Sequence, residues 1–248
     1  MATADVSAAG AATLPTPRWG VVDVIVGWVL AEVAAVVIGG VILSLAGYTG
    51  ERATIARLPL SLIALTYPPL WLGFVGAPVH AAIRRGNGMV RDFAWRISAL
   101  DVPIGVAAGL ASQIILVPLV SLPLLKLLGR TPSDLEVPAR TLADKANDPF
   151  GVVLLFVIVV IGAPIAEELF FRGLVMRSVE RHLGAPAAVC ISAVAFGVTH
   201  FEGIQTPALI TFGLVLGWLV YRTGRLGTSI VAHMAFNAVS IITLLVTR

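Results

Sequence analysis

Long apolar runs separated by short polar clusters dominate this chain. About 20 consecutive apolar residues cross the hydrocarbon core of a bilayer as a helix. Seven runs reach or approach that length: residues 19–46, 58–83, 102–125, 149–182, 185–199, 204–221 and 226–246. Pro68-Pro69 interrupts the second run, and the fourth is long enough to divide. Seven transmembrane helices are therefore expected, or eight if either of those runs is two short helices. The residues between the runs are rich in Gly, Pro and charge, which marks them as turns and loops. No internal repeat is visible.

Composition agrees with this pattern. Hydrophobic residues make up 58% of the 248 and charged residues only 12%, where a soluble domain carries about 25% charged residues. The chain reads as an all-α polytopic membrane protein. Its net charge of +3 is too small, and its basic residues too scattered along segment ends, to suggest nucleic acid. Membrane lipid is the expected surrounding, in a multi-pass cell-membrane location. Residues 1–18 read as a disordered tail, because no Lys or Arg precedes Arg18 to supply the positive region of a signal peptide. Residues 19–248 read as one transmembrane domain. Arg84, Arg85, Arg91 and Arg96 share one loop, which the positive-inside rule places in the cytoplasm. The N-terminus then lies inside as well, together with the turns after Arg177 and Arg181 and around Arg222 and Arg225. Residues 129–148 become an outer loop. Trp19, Trp71, Trp95 and Trp218 are expected as interfacial anchors. Cys190 is the single cysteine, so it forms no intrachain disulfide and is expected to be a small buried hydrophobe.

Against this background, Glu167, Glu168 and Arg172 stand out inside the fourth run. An ionisable side chain at membrane depth costs a few kcal/mol or more (about 2.5–3.5 on the mildest scales), and marks a functional site by default. On a helix, Glu168 and Arg172 are four apart and share a face. Glu167 points about 100° away. Glu168 is thus the expected ion-pair partner of Arg172, in a structural or accessory role, and Glu167 is left to face a cavity. The turn at Leu183-Gly184-Ala185-Pro186 lies about sixteen residues after Glu167 and about sixteen before His200. Both residues then sit roughly 24 Å from the turn, at one depth on adjacent antiparallel helices. In the last run His233 and Asn237 are again four apart on one face, and their distance from the Thr223-Gly224-Arg225 turn brings them towards the same level. A carboxylate beside an imidazole can hold and deprotonate a water. A second imidazole and an amide can donate to a developing oxyanion. Glu167, His200 and His233 also form a two-His, one-Glu set of the kind that binds Zn²⁺ with an open position. No His-Glu-x-x-His or Gly-x-Ser-x-Gly run is present. Elsewhere, Gln113 is expected to bond a neighbouring helix, Glu202 to be a loop residue, and Glu32 is a carboxylate in mid-span with no assigned role.

Three motifs, Glu-Glu-x-x-x-Arg at Glu167–Arg172, Phe-x-x-x-His at Phe196–His200 and His-x-x-x-Asn at His233–Asn237, resemble the signature of the CPBP family. That family includes the type II CAAX prenyl endopeptidases and the Abi proteins. The resemblance covers residues 149–246, which would form the catalytic core around an intramembrane polar cavity. It implies an intramembrane endopeptidase acting on a membrane-associated peptide or lipidated protein, including prenylated CAAX-type substrates. By the motifs, Glu167 and His200 would activate water, His233 and Asn237 would stabilise the oxyanion, and Glu168 and Arg172 would support them. The family has been described both as metalloproteases and as glutamate proteases. The metal-free form is preferred here, with zinc on Glu167, His200 and His233 as the alternative. Two other readings stand beside the protease: a bacteriocin-immunity-type protein with little or no catalysis, and a small transporter.

Overall fold

A bilayer offers no water to unpaired backbone groups, so a spanning chain must satisfy them within helices or a closed barrel. The computed structural model describes residues 15–247, is 82% helical, and has no strand among those residues. The helices are α1 (Val21–Leu45), α2 (Leu60–Arg85), α3 (Met89–Phe93), α4 (Asp101–Leu128), α5 (Pro132–Ala143), α6 (Pro149–Val198), α7 (Thr206–Thr223) and α8 (Leu226–Val246). Five of them, α1, α2, α4, α6 and α8, have the length and apolarity of a membrane span. At 50 residues α6 is too long for one pass. It doubles back at Gly184, whose φ of +79° breaks the helical path at a residue with no Cβ to oppose it. With α7, 18 residues long, the arrangement is consistent with seven or eight crossings. The chain is a membrane protein.

Several expectations need correction. Pro68 and Pro69 do not divide the second run, since α2 passes through both, and through Pro78, without a break. The expected outer loop at 129–148 contains α5. Its start is capped by the Asp134 carboxylate, which accepts from the Thr131 amide at 2.8 Å, and Pro132 takes the first helical position, where no amide hydrogen is needed. These hydrogen bonds hold the Asp134 carboxyl below the usual carboxylate range. Cys190 is exposed on α6, not buried. Trp19 and Trp71 are not interfacial anchors. Trp19 is buried against Phe93 and under the Arg181 guanidinium, and Trp71 fills the space above Gly162. Trp95 and Trp218 are exposed. Most of the expected tail, residues 1–14, lies outside the described residues. Its last residues are tied down, with the carbonyls of Pro17 and Arg18 accepting from Arg181 and Arg85.

Helices in lipid gain little from the hydrophobic effect against one another and associate by close packing, which favours small residues at their contacts. Three such pairs build the frame. α1 meets α2 where Gly27 and Gly73 lie against Ala77 and Ala31. The second limb of α6 meets α7 at Gly213 against Ala193 and Gly217 against Val189. α4 meets α8 at Gly105 against Val231 and Gly109 against the Ala232 carbonyl. The first limb of α6 runs through the middle, and every residue from Glu168 to Met176 is buried. A helix enclosed on all sides reads as apolar all round, which is why this segment shows no amphipathic stripe.

Widened turns shape the core helices, two of them beside prolines. Pro118 and Pro164 lack an amide hydrogen, and their rings crowd the carbonyl four residues back. Each follows a π-helical stretch, Ser112–Leu116 and Phe156–Gly162, in which the next amide, of Val117 or Ala163, bonds five residues back to Ser112 or Ile158. The wider turn accommodates the proline without ending the helix. At one end of the molecule the N-terminal residues, the arginine-rich loop and two turns come together. The Arg18 amide bonds the Arg85 carbonyl at 2.7 Å and the Leu226 amide bonds the Ala94 carbonyl at 3.0 Å. Buried Asp101 accepts from Arg225 Nη2 at 2.7 Å, which clamps the starts of α4 and α8 together and holds the Arg225 guanidinium above its ordinary pKa.

The α4–α8 contact is tight enough to test. Gly109→Leu must push the α8 backbone aside and is expected to destabilise the protein by about 1–3 kcal/mol, the usual cost of overpacking. Gly40→Leu, at a position with open space around it, is expected to leave the thermal midpoint of the detergent-purified protein unchanged. Equal behaviour of the two variants would show that this glycine contact does not set the helix spacing.

Candidate active site

Glu167 and Glu168 occupy the short α-helical segment Ala163–Glu168, between the π-helical stretches Phe156–Gly162 and Leu169–Val175. They diverge as their spacing requires. Glu168 turns into the protein and is fully buried with Arg172, whose Nη1 donates to Glu168 Oε1 at 2.8 Å. Arg172 Nη2 reaches across to the Gly213 carbonyl on α7 at 3.1 Å, and its guanidinium lies over the Phe196 ring, 4.4 Å from the centroid. Glu167 turns towards the partly accessible side and meets both imidazoles. Its Oε2 is 3.9 Å from His200 Nε2 and 3.8 Å from His233 Nε2. Three segments distant in sequence thus converge on one carboxylate.

The imidazoles are held by their other nitrogens. His200 Nδ1 lies 2.7 Å from the Phe196 carbonyl. A carbonyl only accepts, so Nδ1 carries the proton, and in the neutral ring Nε2 turns its lone pair towards Glu167. His233 Nδ1 lies 3.1 Å from Glu168 Oε1. Beside the ionised member of an ion pair it is again the donor. His233 therefore donates from Nε2 only as the imidazolium. Aromatic walls fix both rings. Phe196 stands 4.7 Å from His200 and 5.5 Å from His233, centroid to centroid, and Phe212 stands 5.4 Å from His233. Phe236 stacks on Phe212 at 3.9 Å.

Asn237 follows one turn after His233. Its Nδ2 donates to the Val159 carbonyl at 2.8 Å, in the first π-helical stretch of α6, and its second amide hydrogen is not used in that bond. The structure therefore gathers Glu167, His200 and His233 at one point and ties Asn237 to the adjacent backbone. Three participants had little or no signal in the sequence. The Glu168–His233 bond joins residues 65 apart. Phe212 is an ordinary apolar residue of α7. Tyr67 on α2 comes within electrostatic reach of Glu167. Gln113 does bond a neighbouring helix, with Nε2 donating to Ser240 Oγ at 3.2 Å. Glu202 is a half-buried loop residue and Glu32 is half-buried on α1.

Residues 149–239 match the model of the family described as type II CAAX prenyl endopeptidase Rce1-like. This stretch is similar to an Rce1-like domain. It holds all three motifs, with Glu167, His200, His233 and Asn237. At family level the Rce1-like domain is that of a CAAX-type intramembrane endopeptidase, working on a peptide or lipidated protein within the membrane. No curated protein and no solved structure matches the chain.

The zinc alternative has a geometric test. Two ligand atoms at about 2.0–2.1 Å from one tetrahedral zinc stand about 3.3 Å apart. The Glu167 oxygen is 3.8 and 3.9 Å from the two imidazole nitrogens. Among the described residues, no three His, Cys, Asp or Glu side chains form a group that could hold a metal ion. The side chains as placed do not fit zinc, and no chemical step is derived through it.

The buried pair beneath the site gives a stability prediction. Arg172→Met leaves the Glu168 carboxylate buried without its cation and is expected to cost about 3–5 kcal/mol, read as a fall in the thermal midpoint of the purified protein. The double variant Glu168→Gln/Arg172→Met removes both charges and is expected to regain most of the loss. A double variant as unstable as the single one would show that the pair is not the source of the penalty.

Proposed function

We propose that this protein is an intramembrane endopeptidase in which Glu167 and His200 activate a water for attack on a peptide bond of a membrane-held substrate. The observation that carries this reading is the position of Glu167 Oε2 opposite the lone-pair nitrogen of His200, 3.9 Å away. That gap is too long for a direct hydrogen bond and suits a water donating one proton to each acceptor. Such a water presents its own lone pair to the third side, where a scissile carbonyl would lie. As the water attacks, its proton passes to the Glu167 carboxylate, the general base, which then delivers it to the departing amine. His200 holds the water in place through Nε2.

The carbonyl oxygen becomes an oxyanion in the same step. His233 in its imidazolium form and the second amide hydrogen of Asn237 are the donors assigned to it. Glu168 supports His233 by accepting from Nδ1, and Arg172 holds the Glu168 carboxylate in place. Glu168 is thus a positioning residue for His233 as well as the partner of Arg172. A core cluster that joins Phe74 of α2 to Phe170 and Phe171 of α6 supports treating residues 19–248 as one domain, with the catalytic core at 149–246. The arginines gathered at one end support a cytoplasmic N-terminus.

Three measurements test the reading. Comparison of membrane peptides from cells carrying the native protein and the Glu167→Gln variant, by mass spectrometry, is expected to show one cleavage product lost. With that product as substrate, Glu167→Gln and His200→Ala are each expected to lower the rate about 10²–10⁴-fold, and Asn237→Ala about 10²–10³-fold, with folding intact. Unchanged cleavage in Glu167→Gln would overturn the assignment, and a transporter or binding-only protein would show no product to lose. Chelator treatment of the purified enzyme is expected to leave the rate unchanged. Loss of activity restored by added Zn²⁺ would instead assign Glu167, His200 and His233 to a metal.

A further inference from the structure

A groove of about 570 Å³ runs between α1 and α2, within the size range of ligand sites. None of Glu167, His200, His233 or Asn237 lines it. Its walls follow one face of each helix. Asp23, Val26 and Leu30 recur at three- and four-residue spacing on α1, and Leu72, Gly76 and His80 do so on α2. Gly27 and Ala77 form its floor, where the two helices touch. Gly76 leaves one wall low, since a side chain added there would meet nothing within 4 Å.

The groove is apolar along most of its length and polar at one end. Val26, Leu30 and Leu72 are exposed on two helices with the length and apolarity of membrane spans. The polar end coincides with the helix ends, with Asp23 in the first turn of α1 and His80 near the end of α2. From there the groove extends eleven residues along each helix, to Ala34 and to Pro69. That is roughly 17 Å, about the depth of one leaflet in a hydrocarbon core roughly 30 Å thick.

Charge at the polar end is positive. Asp23 adds no free negative charge, because Arg85 Nη1 pairs with it at 2.5 Å. Arg84 is exposed, and among the described residues no carboxylate pairs with it. It stands four residues after His80, on the same face of α2 and one turn beyond the groove. Arg18, also exposed, joins this end through its carbonyl, which accepts from Arg85 Nη2 at 2.9 Å. Arginines at a helix end attract anionic headgroups.

We infer that this groove binds one anionic phospholipid from the leaflet at the arginine-rich end. An acyl chain lies along Gly76 and Ala77, and the phosphate is held by Arg84 and His80. A guanidinium pairs well with phosphate, and an imidazole has an N–H to donate in either protonation state. The inference stands on the groove alone and does not depend on the proteolytic reading.

The test uses the full chain in nanodiscs and a phosphatidylglycerol with a photoreactive diazirine on one acyl chain. Labelled peptides are mapped by mass spectrometry. Label is expected to concentrate on residues 26–34 and 69–77 and to saturate. Unlabelled phosphatidylglycerol is expected to compete about five-fold better than phosphatidylcholine, the factor supplied by one arginine near an anionic headgroup. Gly76→Leu, which fills the open space, is expected to abolish the saturable label and to leave the thermal midpoint in lipid-free detergent unchanged. His80→Leu/Arg84→Gln, which leaves the apolar groove intact, is expected to make the two lipids compete equally. Label spread evenly over exposed positions such as Val36 and Val41 of α1, without competition, would overturn the proposal. So would saturable label indifferent to either variant. A dimer in detergent that Gly76→Leu dissociates would also overturn it, by assigning the groove to a second copy of the chain. A protein that cleaves no peptide yet passes this test would separate the two conclusions.

Discussion

A fully buried ion pair, Glu168 with Arg172, is the constraint around which the centre of this molecule is arranged. A lone charge in such a place would be intolerable, and even the pair must recover its desolvation through good geometry and additional bonds. The structure supplies them. Arg172 reaches the Gly213 carbonyl on α7 and rests on the Phe196 ring of the second limb of α6. Glu168 reaches His233 on α8. One salt bridge thus binds three helices to the central one and positions an imidazole whose other nitrogen faces Glu167. The same contacts that make the charges tolerable assemble the site.

The frame has to allow these contacts, and glycines do much of that work. α7 approaches the second limb of α6 closely because Gly213 and Gly217 present only backbone, and that approach brings the Gly213 carbonyl within reach of Arg172. α8 lies close against α4 at Gly105 and Gly109, which fixes the height of His233. The clamp between Asp101 and Arg225 sets the same height from the end of the helix. The π-helical stretch Phe156–Gly162 accommodates Pro164 and gives Asn237 a carbonyl, that of Val159, to bond. Local irregularity in α6 is therefore tied to the residues that face the site.

Much of this was legible along the chain. The apolar runs announced a helical membrane protein, and the spacing of Glu167 and His200 about the Gly184 turn placed them at one depth. The four-residue spacing of Glu168 and Arg172 announced their pair. Trp19, Trp71 and Cys190 were misread because an apolar run looks the same whether it faces lipid or protein, and only neighbours decide between anchor, core and outer surface. α5 was missed because its capping by Thr131 and Asp134 is local and its helix short, inside a stretch polar enough to pass for a loop. The prolines of α2 suggested a break that a helix surrounded by other helices does not need.

The amino-acid sequence by itself determined the solvent of this protein, its helical class and which few polar side chains had to matter, because the cost of charge in lipid leaves so little freedom. The tertiary structure decided their roles. It joined Glu168 to His233, set which nitrogen of each imidazole meets Glu167, and walled the rings with Phe196 and, at His233, Phe212. These outcomes depend on the rotation and approach of helices relative to one another. Small residues and widened turns set those through packing in three dimensions, and no periodicity in the chain records them.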